Sequence, residues 1–323
     1  MNLVTDILRN LIIYLSFPNN LKKEKLSNLQ IKIIDEINAR LKNLSNNLDN
    51  SENNHKLNTH KIFSESVYYL IKKKKLNNFL RKGFIQKMFF VHNRFYNLKF
   101  LKKILDTKSN FWINLLEESN VGNPVPFFSY RKSSGNRIRH VFLIKEIFDY
   151  AKIQNVDAVI EIGGGYGCMA KILNEIDKNV NYTIFDLPEV NLLQYYYLKS
   201  NGISFAIDNI EEEKIVTSRL DLLYDKVGLL RSKNKKILII ANWSLSEMPL
   251  VLRKKLEFLF KNCNYGIISY QSQFEDICNI KYFENFSKKL SKNFLIETNL
   301  LEEMNSKFDK IKHFVFLMKK NEY

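Results

Sequence analysis

From residue 158 onward, short apolar runs alternate with stretches of helical periodicity. Strands that are separated by helices pair in parallel, because each crossover returns the chain to the same end of the sheet. We therefore predict a doubly wound, mostly parallel, seven-stranded α/β sheet whose last two runs are close enough to form an antiparallel end pair. The seven runs are AVIEI (158–162), YTIFD (182–186), ISFAI (203–207), KILIIAN (236–242), YGIISY (265–270), FLIET (294–298) and HFVFLMK (313–319).

The chain before residue 151 has a different pattern, in which apolar residues recur at helical spacing. The polar, Asn-rich stretch 43–60 lacks a period and predicts a linker or mobile loop. Glycines and prolines in 121–140 interrupt the helical pattern where basic residues cluster, which is typical of a functional loop. Helices are predicted over 3–15, 26–41 and 141–153 and within 61–118. We divide the chain into a helical, basic N-terminal region (1–118), a substrate loop with a connecting helix (119–150) and a sheet domain (151–323).

The positive charge is concentrated in the N-terminal third. Residues 1–110 hold 21 Lys and Arg against 8 Asp and Glu, a net charge of +13, and the rest of the chain adds +3 to reach the total of +16. Such a surface attracts nucleic acid, anionic lipid or a phosphate-bearing substrate. The alternative is a solvated basic face without a partner. Because 45% of the residues are hydrophobic, the composition excludes a disordered chain.

Cysteine usage and hydropathy bear on the compartment. Cys168, Cys263 and Cys278 are widely spaced and form neither a disulfide framework nor a zinc-binding pair, which favours a reducing environment. No apolar run approaches the ~20 residues that span a bilayer. The first residues carry Asp6 and Arg9 within their apolar pattern, so we predict no signal peptide. The expected location is therefore cytoplasmic.

The most specific motif is Glu161-Ile-Gly163-Gly-Gly165-Tyr-Gly167, which directly follows the first apolar run and precedes a helix predicted to extend to about Glu175. Glycines let the backbone approach a ligand closely, and the N-terminus of a helix offers free N–H groups. The spacing does not fit the G-x-G-x-x-G dinucleotide fingerprint, and no Gly-Lys-Ser/Thr follows to make a phosphate loop. The motif therefore predicts a ligand-binding turn of another kind.

The segment matches the acidic-x-G-x-G-x-G pattern of class I S-adenosylmethionine-dependent methyltransferases, which the chain resembles. The resemblance implies a Rossmann-like methyltransferase sheet and S-adenosyl-L-methionine as cofactor. It also implies that the acid and glycines surround the amino-acid moiety, that Asp186 binds the ribose hydroxyls, and that Asp208 and Asn209 meet the adenine. The cofactor-binding residues that it implies are Glu161, Gly163, Gly164, Gly165, Tyr166, Gly167, Asp186, Leu187, Asp208, Asn209, Asn242, Trp243 and Ser244.

Three further segments narrow the resemblance. IFDLPEV with the following QYYY, the NWSLSEM segment and the upstream VGNP together resemble the sugar O-methyltransferase family of bacterial polysaccharide gene clusters, over about 120–323. This resemblance implies methyl transfer to a sugar hydroxyl of a surface glycan or its nucleotide-linked precursor. Residues 1–110 resemble no family that we can name. We expect this region to act as a lid, a homodimer contact or a docking surface, including one for peripheral membrane contact.

A sugar hydroxyl is a poor nucleophile, so a general base or a metal should take its proton. Glu247, after the fourth run, and His140, at the end of the basic loop, are the candidate bases. The alternatives are an acid at a helix N-terminus for Glu247 and a satisfied, partly buried histidine for His140, while His313 is interpreted as structural. Glu275 and Asp276 also follow a strand end, but their spacing with Glu247 has no metal-ligand signature. We predict no metal site.

Basic residues before the sheet domain are candidates for binding the acceptor. Guanidinium groups pair bidentately with phosphate, so an anionic acceptor such as a nucleotide-linked or phosphorylated glycan is expected. The alternative is that these residues only make a loop soluble. The predicted substrate-binding residues are Tyr130, Arg131, Arg137, Arg139 and Ser246, with Lys132 in the same cluster.

Two other functions compete with sugar methylation. An S-adenosylmethionine-dependent RNA methyltransferase would use the basic N-terminal region as its electrostatic footprint. The chain, however, has no NPPY-type tetrapeptide, no catalytic cysteine motif and no recognisable RNA-binding module, so we expect no nucleic-acid partner. A non-enzymatic scaffold that binds the cofactor is the second alternative. The intact glycine motif and Asp186 favour an enzyme.

Overall fold

The computed structural model describes residues 25–45, 58–89, 94–305 and 309–321. Within them the chain forms two compact units. One comprises the residues up to Phe142 together with Gly165–Ile172 and Leu192–Ser204, and the other comprises Leu143–Gly164, Leu173–Asn191 and the residues from Phe205 onward. The predicted helix over 3–15 and the middle of the predicted linker lie outside the described residues.

The second unit contains an eight-stranded, mostly parallel sheet, which confirms the predicted fold class. Its strands follow the order β11-β12-β8-β7-β3-β4-β6-β5, and only β12 runs antiparallel, to β8 and to β11. The predicted antiparallel end pair is therefore correct. The strands are β3 (Ala158–Ile162), β4 (Asn181–Phe185), β5 (Ala206–Ile207), β6 (Lys214–Thr217), β7 (Ile237–Asn242), β8 (Tyr265–Gln271), β11 (Phe294–Leu300) and β12 (His313–Lys320).

One strand was missed by sequence reasoning. The predicted run over 203–207 contributes only the two-residue β5 at the outer edge, and β6 takes the place beside β4. The four residues of β6 follow three consecutive glutamates at 211–213, so the run is too short and too close to charge to stand out. Pairing with β4 on one side and β5 on the other stabilises this strand.

Both faces of the central strands are buried, which explains why they are almost continuously apolar. On one face, alternate residues such as Ile160 and Ile239 pack with Leu223, Leu256 and Phe283 of the covering helices. The intervening residues are buried as well, for instance Val159 and Ile240. The remaining elements of this unit are α9 (Leu220–Ser232), α10 (Ser244–Glu247), α11 (Leu250–Lys261), α12 (Asn279–Leu290) and the hairpin of β9 (Gln273–Phe274) and β10 (Ile277–Cys278).

The first unit is mostly helical, as the periodicity predicts. It contains α1 (Asn28–Ser45), α2 (Asn58–Lys72), a 3₁₀ turn (Phe79–Arg81), α3 (Gly83–Met88), α4 (Asn97–Leu105), α5 (Asn110–Asn114) and the hairpin of β1 (Pro126–Phe127) and β2 (Tyr130–Ser134). Three helices carry the chain between the units: α6 (Gly135–Ala151), α7 (Cys168–Ile176) and α8 (Pro188–Ser200). Along the described residues, no helix has both the length and the apolar content that crossing a bilayer requires.

The start of α6 corrects the sequence prediction. We expected a loop to residue 140 and a helix from about 141, but α6 begins at Gly135. The Ser134 side chain accepts a hydrogen bond from the Arg137 N–H (3.2 Å), which is the interaction of an N-terminal helix cap. A glycine at the first position therefore does not break this helix. Arg137, Arg139 and His140 are helical residues rather than loop residues.

Candidate functional site

The carboxyl ends of the parallel strands lie at one edge of the sheet, which is where open α/β sheets bind ligands. In the second unit this edge carries the residues that follow β3, β4, β6 and β7. They include Gly163, Asp186 and Trp243, all of which sequence reasoning had singled out. We call this set of strand ends the carboxyl edge.

The turn after β3 begins at a glycine that no other residue can replace without strain. Gly163 has a left-handed backbone conformation (φ +73°), and its N–H donates to the Phe185 carbonyl at the end of β4 (2.8 Å). A Cβ on Gly163 would lie 2.2 Å from the Ser244 Cβ. The Ser244 hydroxyl donates to the Ile162 carbonyl. The ends of β3, β4 and β7 are thus held together around a residue without a side chain.

The later residues of the turn belong to the first unit. The Gly165 carbonyl accepts a hydrogen bond from the Gln194 side-chain amide (3.0 Å). Tyr166 is buried, its ring lies edge-on to Tyr197, and its hydroxyl accepts from the Asn136 side-chain amide (3.1 Å). The structure therefore places the Tyr166 side chain in the core of the first unit. Burial raises the pKa of its hydroxyl well above the usual value.

Asp186 and Asp208 stand on either side of Thr217, the last residue of β6. The Asp186 N–H donates to the Thr217 carbonyl (3.1 Å), and the Leu187 N–H donates to Asp186 Oδ1 (2.8 Å). The Thr217 hydroxyl donates to Asp208 Oδ1 (2.6 Å), and the Asn209 side chain accepts from the Glu211 N–H. Asp186 and Asp208, which are predicted to bind the ribose and the adenine, are therefore joined through Thr217 by hydrogen bonds. Thr217 was missed because the strand that carries it was missed.

Glu161 is a buried acid on β3. Burial raises the pKa of its carboxyl to about 8; the hydrogen bond from the Tyr182 hydroxyl to Glu161 Oε2 (2.8 Å) opposes this shift, and the nearby charge of Asp186 adds to it. A carboxyl with this pKa is mostly protonated at pH 7. In the free protein, Glu161 is thus a neutral group with one O–H donor.

This raised pKa predicts a pH-dependent stability. Between the usual pKa of 4.5 and about 8 the native state holds a proton that the unfolded chain has released, so stability falls as pH rises through this window. Glu161→Gln removes this titrating group. Between pH 5 and pH 8 we therefore expect the free energy of unfolding of the variant to rise, relative to that of wild type, by on the order of a few kcal/mol. Thermal unfolding followed by circular dichroism measures the difference. A constant difference across this range would contradict the prediction.

The turn after β7 carries the candidate base. Glu247 ends the short helix α10, and its Oε1 accepts a hydrogen bond from the Gln271 side-chain amide (3.3 Å). Burial raises the pKa of Glu247 to about 7, while the Gln271 hydrogen bond and the charge of Arg253 oppose the shift. A carboxylate whose pKa lies near neutral pH suits proton abstraction.

Two other polar side chains of the turn after β7 are hydrogen-bonded within the protein. The Ser246 hydroxyl is buried, 2.8 Å from Gln271 Oε1 and 2.6 Å from the Trp243 carbonyl. The Asn242 side chain accepts a hydrogen bond from the Ser269 hydroxyl.

The second candidate base lies on α6 of the first unit. Burial and the positive charges of Arg139 and Arg137 lower the pKa of His140 well below its usual value, so its imidazole is neutral at physiological pH. Its Nδ1 is buried, and the described residues supply no hydrogen-bond partner for that atom. A neutral imidazole accepts a proton only weakly at this pKa. Glu247 is therefore better matched to a general base.

The basic cluster predicted between 121 and 140 divides into two pairs. Arg131 and Lys132 are exposed on β2 beside the half-exposed Tyr130. Arg137 and Arg139 are buried on α6. Arg137 Nε donates to the Leu115 carbonyl (2.8 Å) and Arg139 Nη2 to Asn136 Oδ1 (2.7 Å). The alternative that these side chains only make a loop soluble is wrong for the buried pair, because a helix carries them into the interior.

The acids that the sequence offers as metal ligands lie on different elements. Glu275 and Asp276 form the turn between β9 and β10, and Glu247 lies on α10. Among the residues that the structure describes, no group of three His, Cys, Asp or Glu side chains comes together as metal ligands would. His313 lies at the first position of β12, and its Nδ1 accepts a hydrogen bond from the Trp243 indole (3.1 Å).

Fold and site together define a Rossmann-like α/β protein with a polar carboxyl edge. No family model matches the chain, and no curated protein matches it. Solved structures that resemble it include the methyltransferase domain of bacterial CtHen1-C, with 14% identity, a TM-score of 0.39 and coverage of 57% of this chain and 99% of that one. StiE O-MT has 10% identity, a TM-score of 0.38 and coverage of 56% and 74%. M. capricolum TrmK, solved with S-adenosyl-homocysteine, has 16% identity, a TM-score of 0.34 and coverage of 55% and 69%.

Proposed function

We propose that this chain is an S-adenosylmethionine-dependent O-methyltransferase whose acceptor is a sugar hydroxyl of a surface glycan or its nucleotide-linked precursor. The observation that carries the proposal is the composition of the carboxyl edge. A turn without a side chain at Gly163, an acid after β4 and a second acid after β7 with a raised pKa all lie on one edge of one sheet. A cofactor with a ribose diol and an acceptor with an ionisable proton need these groups.

The polar groups of the carboxyl edge suit S-adenosylmethionine as a ligand. A carboxylate accepts two hydrogen bonds from adjacent hydroxyls, which suits Asp186 for the ribose. Asp208 and Asn209 would hold the adenine, and the backbone at Gly163 and Gly164 would meet the amino-acid moiety with no Cβ in the way. The nearby Leu187, Asn242, Trp243 and Ser244 would complete the same surface. When bound, the cofactor supplies a methyl group on a positively charged sulfonium.

The role of this chain's own residues is to orient the acceptor and to remove its proton. Glu247, in its ionised form, would take the hydroxyl proton onto its carboxylate; the carbon–sulfur bond of the sulfonium would break as the carbon–oxygen bond forms, with the neutral thioether as leaving group. Gln271 holds that carboxylate in place through Oε1. His140 is the second candidate base. Proton removal by a positioned side chain contributes typically 10²–10⁴-fold to a rate.

Binding of an anionic acceptor is the second part of the proposal. Arg131 and Tyr130 on β2 are accessible to a ligand, whereas Arg137 and Arg139 are buried, with 0% and 1% of their surface exposed. Arg131 is therefore the side chain that we favour for direct contact with a phosphate, and the buried pair would add positive potential behind it. Ser246 would help to fix the acceptor site, because its hydroxyl donates to Gln271, which in turn contacts Glu247. A nucleotide-linked sugar carries the negative charge that this arrangement would attract.

We expect Asp186→Ala to weaken S-adenosylmethionine binding by about 10- to 100-fold, because hydrogen bonds to a charged group contribute about 1.5–3 kcal/mol. Isothermal titration calorimetry measures the affinity. Asp149→Ala is the matched control, since this aspartate is exposed and pairs with Lys145 one turn away on α6. Equal affinities for the two variants would contradict the assignment of Asp186.

Methyl transfer itself tests the proposed activity. The protein is incubated with S-adenosylmethionine that carries a labelled methyl group and with two acceptors, a mixture of nucleotide-linked sugars and total RNA. We expect label in the sugar fraction and none in RNA. Label in RNA alone would instead support the RNA methyltransferase, and cofactor binding without transfer to either acceptor would support the scaffold.

A further inference from the structure

Trp243, the residue that follows β7, has a left-handed backbone conformation (φ +62°). This conformation is rare for a bulky residue and persists only where the surroundings fix it. Three hydrogen bonds fix it here. The Trp243 N–H donates to the Ser269 carbonyl (2.7 Å), its carbonyl oxygen lies 2.6 Å from the Ser246 hydroxyl, and its indole N–H donates to His313 Nδ1 (3.1 Å).

The strained turn sets the direction of the residues that follow it. Directly after Trp243 the chain enters α10, which brings the Ser244 side chain against Gly163 and places Glu247 beside Gln271. The backbone conformation of Trp243 therefore positions both Ser244, which contacts Gly163, and the proposed base Glu247. If Trp243 moves, both contacts change.

His313 is held at the same edge because β12 is antiparallel. The first residue of β12 lies where the parallel strands end, opposite Gln271 of β8. Its backbone N–H donates to Asn305 Oδ1 (2.8 Å), and its carbonyl accepts from the Asn305 side-chain amide (2.9 Å) and from the Leu301 N–H (2.9 Å). The strand and this loop fix the backbone of His313. Its imidazole therefore meets the indole from a backbone that is hydrogen-bonded on both sides.

The hydrogen bond also defines the state of the imidazole. Nδ1 can accept the indole N–H only in the tautomer whose ring proton is on Nε2. The rings of Trp243 and His313 meet edge to face, with their centroids 6.1 Å apart.

We propose that His313 is a positioning residue of the methyl-transfer site, which holds the strained Trp243 turn and thereby places Ser244 and Glu247. This inference rests on the proposed function, in which Glu247 is the base. From the sequence, His313 is interpreted as structural because it lies inside the apolar run HFVFLMK, whereas the structure places it at the carboxyl edge beside Trp243. It acts through Trp243 rather than on the acceptor.

Tryptophan fluorescence and kinetics test the proposal together. The chain contains two tryptophans, so Trp112→Phe leaves Trp243 as the only reporter. In this background His313→Phe keeps a ring but removes the acceptor for the indole. We expect the emission of the buried Trp243 to shift to shorter wavelength, because its indole N–H loses a polar partner, and kcat to fall at least tenfold, with KM for the acceptor changing less than threefold. His313→Asn keeps a side-chain acceptor near Nδ1 and should restore most of both signals.

Two further variants separate positioning from general destabilisation. Ile311→Ala, which changes a half-exposed residue just before β12, should leave emission and kcat unchanged. Trp243→Phe, in the chain with Trp112 present, removes the indole N–H from the other side and should lower kcat as much as His313→Phe. Combining the two changes should cost little more than either alone, because they remove the same interaction.

The outcomes distinguish this proposal from the proposed function. If the parent protein transfers methyl groups and His313→Phe matches it in emission and kcat, the positioning role is wrong. Shifted emission with unchanged kcat, or additive losses in the double variant, would overturn it as well. If the parent protein binds no S-adenosylmethionine, the proposed function fails, and the role of His313 in it fails for that separate reason. Should His313→Phe not fold, His313→Asn and Trp243→Phe decide the question.

Discussion

Gly163→Ala is expected to reduce S-adenosylmethionine binding at least 100-fold and to lower thermal stability. An L-residue at φ +73° costs roughly 1–2 kcal/mol through its backbone alone. The added methyl would in addition lie 2.2 Å from the Ser244 Cβ. Two carbon atoms cannot approach so closely, so the chain after β7 would have to move. The displacement would open the turn where the amino-acid moiety is proposed to bind. Calorimetric titration and thermal unfolding measure the two effects.

Gly202→Ala provides a matched control for this experiment. Gly202 has nearly the same backbone conformation (φ +76°), but a Cβ there meets no atom within 4 Å. The backbone cost is therefore present in both variants, whereas the steric conflict is present only at Gly163. We expect Gly202→Ala to lose some stability and to keep its cofactor affinity. If both variants lose the same stability and neither loses affinity, Gly163 has no special place in the site.

Glu247→Gln is expected to lower kcat by about 10²–10⁴-fold while cofactor affinity remains within a few-fold of wild type. The amide has nearly the same shape as the acid but cannot take a proton. In the wild type, kcat should rise with pH through about 7 and then level off, because the ionised form of a base with that pKa does the work. Stopped assays with labelled methyl groups across pH 5.5–9 measure the profile.

Two comparisons make this result specific. Glu211→Gln, at an exposed position between β5 and β6, should leave kcat unchanged. His140→Ala tests the other candidate base, and we expect a smaller effect because its low pKa makes the imidazole a weak base. A loss of turnover in His140→Ala together with wild-type turnover in Glu247→Gln would reverse the assignment of the two residues.

Much of the fold could be read from the chain because its signals are local. The apolar runs AVIEI, YTIFD and KILIIAN predicted β3, β4 and β7, and the closeness of the last two runs predicted the antiparallel pair β11 and β12. The strand β6 could not be found in this way, since four residues after three glutamates carry no readable period. The start of α6 was also missed, because the cap from Ser134 outweighs the glycine at its first position.

The amino-acid sequence by itself determined the class of fold, the glycine turn at Gly163 and the acid at Asp186, because turn chemistry and strand periodicity act over a few neighbouring residues. Only the tertiary structure decided that Arg137 and Arg139 are buried, that Thr217 joins Asp186 to Asp208, and that His313 supports Trp243. These last relations depend on strand order and direction. Residues 70 positions apart, such as Trp243 and His313, become neighbours only when an antiparallel strand brings the start of one run to the ends of the others.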